Sequence, residues 1–510
     1  MKITLISTST YPSDQGIRTV SSCLKKAGHE TRIIFLAASE NYKELYTPMV
    51  LKQVLQLCAD SGMIGLSSMA STANRAAQVI DYLKKNLQTP IAWGGVHATI
   101  SPDLCIKHAD IVCVGEGDEA AVELANALEK GKDITKIKNL WVKKGDRIYK
   151  NEVRPLVQNL DAIPFVDYDL ENHYILEKGK IIRFQERHLS GQIFFLTGRG
   201  CPYGCTYCAN NFLNNLYRGK GTIVRWHSPK YIIDHIIKLK NRFPSLGYFD
   251  IRDDTFSLRP IEQIKEFCQL YKENVKIRFK CLGDPHTITD EKISLLVDAG
   301  CTDIIIGIQG VERVNFEVYK RFQKDEYVIN SAKIINKYKG KLTVMYDVIT
   351  CNPYEKSEDI INMIRLLQKL PKPYYLSVNN LVFFTGSGLY YKAKDDGTIK
   401  TERDSAAELN YWDRFQHIRL KKKNAYLNLV LNLMRGSVTN TRFGVMPTFL
   451  INSLLNEKWV KFNLKQPIIT YLFGSLIQVS DLFREKIAKP VYRSMPTDFK
   501  TWYDSVRYHI

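Results

Sequence analysis

Long apolar runs are missing. No stretch reaches the roughly 18 consecutive apolar residues that a membrane-spanning helix needs, and the N-terminus, MKITLIST, has neither the apolar core nor the small-residue cleavage site of a secretion signal. These absences predict a cytoplasmic chain. Acidic residues are also in short supply: 53 Asp and Glu face 72 Lys and Arg, for a formal charge of +19. Such a surplus favours an anionic partner, whether nucleic acid, an acidic membrane or a phosphorylated or carboxylated substrate, without choosing among them. Proline (18) and glycine (29) are too few in 510 residues for a collagen-like or low-complexity chain. The eleven cysteines are odd in number, which argues against a disulfide framework in a chain without a secretion signal.

What is present is globular: 45% apolar and 25% charged residues. Up to about residue 145, strand-like runs alternate with helical periodicity. KITLIST (2–8), TRIIFLA (31–37), MIGLSS (63–68), PIAWGG (90–95) and DIVCVGEG (110–117) read as strands, and a helix around Gly16–Leu24 stops at Gly28. Alternation of this kind predicts a Rossmann-like parallel sheet. Small residues gather at its C-terminal strand ends, where open α/β sheets bind ligands: Ser67, Ser68, Gly94, Gly95, Gly115 and Gly117. The first loop is not GxGxxG, so a dinucleotide site is poorly supported. Residues 146–190, polar and holding Pro155 and Pro164, read as a linker.

Residues 191–400 alternate again. IFFLT (193–197), GYFDIRDDTF (247–256), IRFKCLG (277–283), DIIIGIQG (303–310), VMYDVIT (344–350) and YLSVNNLVFF (375–384) are six strands in βα order. They predict a (β/α)6 partial TIM barrel, two repeats short of a full one. Residues 401–510 hold 17 basic against 9 acidic residues and read as a mostly helical, basic segment, with helical periodicity in AYLNLVLNLM, TFLINSLL and IITYLFGSLIQVSDLF. This mixture predicts recognition of an anionic or lipid-like substrate, docking on an acidic membrane face, or a cap on the open barrel edge.

Three cysteines stand apart from the rest. In GRGCPYGCTYCAN (198–210), Cys201, Cys205 and Cys208 follow a strand with C-x3-C-x2-C spacing. Three thiolates on one short loop can hold three irons of a 4Fe-4S cluster, leaving the fourth iron to a small molecule. Gly198, Gly200 and Gly204 let the loop wrap tightly, and Tyr207 can cover the cluster. A zinc site normally needs four ligands, and the nearest candidate, His227, lies 19 residues beyond Cys208.

This motif, after the first strand of a partial barrel, resembles the radical S-adenosylmethionine (SAM) superfamily. DIRDDTF (250–256), IIIGIQG (304–310), ITCNPYE (349–355) and FFTGSGLY (383–390) are similar to that family's later strand elements. The resemblance implies a 4Fe-4S cluster on the three cysteines and SAM on its open iron. It implies SAM contacts from Tyr207, Asp254, Gly307, Gln309 and Arg321, with Gln309 standing where Glu is usual. The first part, with GGVHATISPD (94–103), VGEGDEA (114–120) and PFVDYDL (164–170), looks like the cobalamin-binding domain that precedes many radical SAM domains. It implies cobalamin at Ser67, Ser68, Gly94, Gly95, His97, Gly115 and Gly117. D-x-H-x-x-G is missing, so no His of this domain is expected on cobalt.

The implied function is methylation of an unactivated carbon, or of a phosphinate phosphorus, on a small or lipid-like substrate. Oxidative cyclisation or rearrangement, methylthio transfer and a non-enzymatic Fe-S carrier remain alternatives. A reductant such as flavodoxin or ferredoxin is the expected partner; nucleic acid is not expected. Peripheral association with the inner membrane face stays open.

Overall fold

The computed structural model describes residues 1–9, 12–36, 45–400, 424–434, 448–465 and Leu472. The chain divides into two compact bodies. The first holds Met1–Leu282, Ser294–Thr302 and the described part of Val382–Asn410; the second holds Gly283–Ile293, Asp303–Leu381 and the described part of Tyr411–Ile510.

The first body is built on a nine-stranded sheet: β1 (Lys2–Ser7), β2 (Glu30–Phe35), β3 (Met63–Ser67), β4 (Ile91–Gly94), β5 (Ile111–Cys113), β6 (Leu140–Lys144), β7 (Arg147–Lys150), β8 (His173–Glu177) and β9 (Lys180–Arg183). Their spatial order is β7-β6-β5-β4-β3-β1-β2-β8-β9. The run from β5 to β8 is parallel, and β6, β7 and β9 add antiparallel edges. Strand order reverses between β1 and β3, which opens a crevice at their carboxyl ends. β1 is buried on both faces, as a strand covered by helices on both sides must be. The helix Gln15–Lys26 follows it, capped by Asp14, whose carboxylate accepts from Ile17 N, and closed by Lys25 and Lys26 at its dipole's negative end.

Residues 146–190 are not the linker that their polarity suggested. β7, β8 and β9 all lie within them, and β8 pairs with β2. The cause is local: HYILE and KIIR are β-branched runs joined at Lys178 (φ 49°) and Gly179 (φ 79°). Two residues of positive φ form the turn whose twist suits a hairpin.

The barrel strands of this body are β10 (Gln192–Phe195), β13 (Tyr248–Ile251) and β14 (Arg278–Gly283), paired in parallel. Between β10 and β13, a small ribbon of β11 (Gly198–Arg199) and β12 (Arg225–Trp226) brackets the cysteine loop. The second body continues the βα repeat with β15 (Cys301–Gln309), β16 (Thr343–Thr350) and β17 (Tyr375–Asn380), also parallel. In its described C-terminal part, Ala425–Leu433, Thr448–Leu454 and Glu457–Lys465 are helices. IITYLFGSLIQVSDLF lies outside the described residues, Leu472 apart, as do Lys421, Lys422 and Lys423. Among the described residues no helix is long and apolar enough to cross a membrane.

Candidate functional site

The cysteine loop is held by its own amides. Asn214 Nδ2 donates to the carbonyls of Cys201 (3.0 Å) and Tyr203 (3.2 Å), and Asn211 Nδ2 donates to Gly204 O at 2.9 Å. Cys208 N donates to Cys205 O at 3.0 Å, and Cys208 sits at the cap of the helix Ala209–Leu216. Gly200 has φ 88°, and a Cβ there would collide with Ile223 O. A later segment holds the loop from outside: Leu389 N donates to Thr206 O at 2.8 Å. None of the eleven cysteines is in a disulfide. Burial pushes the Cys201 thiol up to about 12, with Cys205 and Cys208 near enough to add to the rise. Among the described residues no three His, Cys, Asp or Glu side chains converge on a single ion. Three thiols on one loop can each take a separate corner of an iron–sulfur cube.

DDTF divides its two carboxylates. Asp253 is buried and pins the start of the loop, accepting from Thr197 N at 2.6 Å, from Gly198 N at 3.1 Å and from Thr197 Oγ1. Arg259, fully buried, donates to Thr197 O (2.5 Å) and lies 3.8 Å from Asp253. Asp254 instead lines a cavity. Burial pushes its carboxyl up, and a hydrogen bond with Asn210 opposes this.

That cavity, about 560 Å³, is the site's main feature. Its walls come from the strand ends Ser67, Gly94 and Gly115, from the helix Gln15–Lys26, and from Cys208, Asn210 and Asp254. The expected strand-end residues Ser67, Gly94, Gly95, Gly115 and Gly117 all line it. Ser68 and His97 are not in its wall. The Ser68 hydroxyl accepts from Trp93 Nε1 at 2.9 Å, and the buried His97 ring packs 5.8 Å from Trp93. Burial lowers His97 to about 4, which keeps it neutral at pH 7. The other two histidines of residues 1–145 are also elsewhere: His29 contacts the N-terminal amine, and His108 contacts Asp81.

An ion network that sequence reasoning missed joins the loop after β5 to the cysteine loop. Asp118 takes Arg199 through two contacts (2.6 and 3.1 Å), and Glu116 takes Arg225 through two (2.7 and 3.1 Å). The signal was present as GEGDE and GRGC, but nothing local pairs them. Tyr217 Oη accepts from Glu116 N at 2.7 Å and fills the space where a Gly115 side chain would stand. Gly115 also has φ 90°. Gly115→Val should therefore cost about 1–3 kcal/mol from overpacking, plus about 1–2 kcal/mol for a side chain in left-handed backbone. The expected readouts are a lower Tm and loss of corrinoid retention on gel filtration, both partly rescued by Tyr217→Ala. An unchanged Tm would contradict this account.

The expected SAM residues fall in both bodies: Tyr207 and Asp254 in the first, Gly307, Gln309 and Arg321 in the second. Those last three come together. Arg321 Nη2 donates to Gly307 O at 3.0 Å, and a Cβ on Gly307 would lie 2.7 Å from Gln309 Nε2. Arg321 already grips a carboxylate of the chain, Asp284 Oδ2 at 2.5 Å. Gln309 is held at φ 66°.

These arrangements match known families. The B12 binding domain matches residues 1–125, and the Radical SAM superfamily matches residues 195–367. The chain is a member of the radical SAM superfamily of enzymes with an N-terminal B12 binding domain. It is 25% identical over 323 residues to an uncharacterized methyltransferase of Pyrococcus horikoshii, covering 62% of this chain and 66% of that protein. It is 22% identical over 380 residues to the bacteriochlorophyllide d C-8(2)-methyltransferase of Chlorobaculum tepidum, covering 72% and 74%. Among solved structures it resembles the cobalamin-dependent SAM radical enzyme OxsB with aqua-cobalamin and SAM bound, with TM-score 0.64 and 12% identity over 99% of this chain and 84% of that one. The shared fold is a Rossmann-like parallel sheet, a (β/α)6 partial barrel and a helical C-terminal region, as the strand pattern predicts.

Proposed function

We propose that the protein is a cobalamin-dependent radical SAM enzyme that methylates an unactivated carbon, or a phosphinate phosphorus, of a small or lipid-like substrate. The observation that carries this reading is the cavity reaching from Ser67, Gly94 and Gly115 to Cys208 and Asp254. One space bordered by both the B12-domain strand ends and the cluster loop lets two cofactors face a common substrate, which orientation-dependent chemistry requires. Two of the three curated relatives carry methyltransferase names, which favours methyl transfer; the third, an anaerobic magnesium-protoporphyrin IX monomethyl ester cyclase of Synechocystis, is 24% identical over 285 residues and covers 53% of this chain.

The residues fit the groups they would hold. Cys201, Cys205 and Cys208 would carry the 4Fe-4S cluster, on a loop with no side chain at Gly200 to obstruct its fold. Tyr207, Asp254, Gly307, Gln309 and Arg321 would contact SAM. In that role Asp254 would accept from donors of SAM, and the Asp284–Arg321 pair would keep the guanidinium fixed beside Gly307. Ser67, Gly94, Gly95, Gly115 and Gly117 would border the corrinoid, while Ser68 and His97 would support them through Trp93. When bound, the cluster supplies one electron for SAM cleavage and the corrinoid carries the methyl group. An external reductant of the flavodoxin or ferredoxin type would deliver that electron.

The test is cofactor loading and SAM turnover. Anaerobic reconstitution with hydroxocobalamin should give a base-off spectrum with no His of residues 1–145 on cobalt: none lines the cavity, and of the two histidines that do, His227 contacts Asp161 and His235 packs against Phe165. Reduced protein should form 5′-deoxyadenosine, and methyl-labelled SAM should label the product. Failure to retain cobalt through gel filtration would overturn the corrinoid assignment. Formation of 5′-deoxyadenosine without methyl transfer would favour cyclisation or rearrangement.

A further inference from the structure

Strands β10, β13 and β14 place one row of side chains on a single face. Phe194, Asp250 and Lys280 are paired neighbours across the three strands. The alternate residues face the other way, into the helical layer. Phe249 packs near Phe195, and Phe279 meets Phe267 and Tyr271 of the helix Ile261–Asn274. Alternation along a strand therefore puts Phe194, Asp250 and Lys280 on the face away from those helices. Arg252, just past the end of β13, reaches back over that row.

The charges in this row do not cancel. Asp250, whose side chain is 2% exposed, takes two cations: Arg252 Nη2 at 2.6 Å and Lys280 Nζ at 2.8 Å. Within this row, one buried carboxylate against two bases leaves a formal surplus of one positive charge; of the cavity's other carboxylates, Asp118 and Glu116 are paired with Arg199 and Arg225, and burial pushes Asp254 up, toward its neutral form. Arg252 is the open member. Its guanidinium lies 4.9 Å from the Phe194 ring centroid, its side chain is 42% exposed, and it lines the cavity described above. A ring on one side and Asp250 at Nη2 fix its plane. Leu196, 38% exposed, lines the same cavity. A planar, fixed guanidinium beside an exposed apolar side chain suits a ligand that is apolar in body and ends in a carboxylate, which Arg can grip through two parallel hydrogen bonds.

We infer that Arg252 anchors a carboxylate of the substrate at the cavity wall, with Leu196 flanking the substrate's apolar body. This rests on the reading of the cavity given under Proposed function and deepens it by naming the substrate class. The side chains of cobalamin's corrin ring end in neutral amides, and its one anion is the phosphate of the nucleotide tail; SAM carries a carboxylate of its own. The binding test therefore uses protein loaded with both, so that the anion titrated is a third one.

The test is a binding experiment that needs no turnover. Cofactor-loaded protein is titrated with 1-pyrenebutyrate and with 1-pyrenebutanol, which share an apolar body and differ in charge, and pyrene fluorescence is followed. Wild type should bind the carboxylate at least tenfold more tightly than the alcohol. Arg252→Gln should erase that preference and leave alcohol binding unchanged, with iron and cobalt per chain as the check on folding. If Arg252→Gln does not fold, Arg252→Lys decides: the preference should fall severalfold, because an ammonium keeps the charge and loses the fork. A wild type that does not discriminate, or a variant that discriminates as wild type does, overturns the inference. Failure of SAM cleavage in wild type would instead strike the proposed reaction, and the binding result would stand apart from it.

Discussion

Replacing any one of Cys201, Cys205 and Cys208 by Ala should leave a chain that folds but forms no 5′-deoxyadenosine above background, a loss of at least a thousandfold. The three thiols sit on one loop whose carbonyls are tied down by Asn211 and Asn214. The scaffold thus survives loss of a sulfur, while an iron corner loses its ligand. Iron and sulfide analysis of anaerobically purified variants gives the direct reading. Wild type should hold four irons per chain, and the triple variant should hold none. A triple variant that retains four irons would place the cluster elsewhere and end the assignment.

Asp253→Ala should be the most damaging change outside those cysteines. Its carboxylate accepts from Thr197 N, Gly198 N and Thr197 Oγ1, beside a fully buried Arg259. Burial pushes Asp253 up from the ordinary carboxylate range, while Arg259 and the Thr197 and Gly198 donors pull it back. Removing it strands a buried guanidinium and two backbone amides, an effect of about 3–5 kcal/mol. Thermal unfolding should show a Tm lower by roughly 10 °C, and iron loading should fall with it because the strand-to-loop junction is lost. Asp253→Asn, which retains one acceptor and the volume, should lose less. Equal Tm values for wild type and Asp253→Ala would refute this role.

The sequence made some of this visible and hid the rest for physical reasons. Parallel strands buried on both faces, such as β1 and β3, read clearly because their apolar runs end in small residues. The cysteine spacing read clearly because a cluster ligand set is local. β8 and β9 did not, since their place in the sheet depends on β8 pairing with β2, far back along the chain. The two carboxylates of DDTF are adjacent and chemically identical, yet Asp253 braces a loop while Asp254 faces the cavity. Only the geometry after the strand separates them. His97 looked like a loop ligand, and its packing against Trp93 could not be read from neighbours in sequence. The pairing of Glu116 and Asp118 with Arg225 and Arg199 was hidden in the same way.

The bond from Leu389 N to Thr206 O sets an order on biosynthesis. The ribosome delivers the three cysteines long before it delivers the segment that clasps their loop. At about 5–20 residues per second, the interval is on the order of ten to forty seconds. During that time the nascent chain presents its thiols without the late strap, which is when an iron–sulfur delivery protein has its freest approach. Once Leu389 docks, its amide holds Thr206 O in the middle of the loop. A chain truncated between the two segments would therefore lack the Leu389 contact on Thr206, while the Asn211 and Asn214 contacts would already be in place.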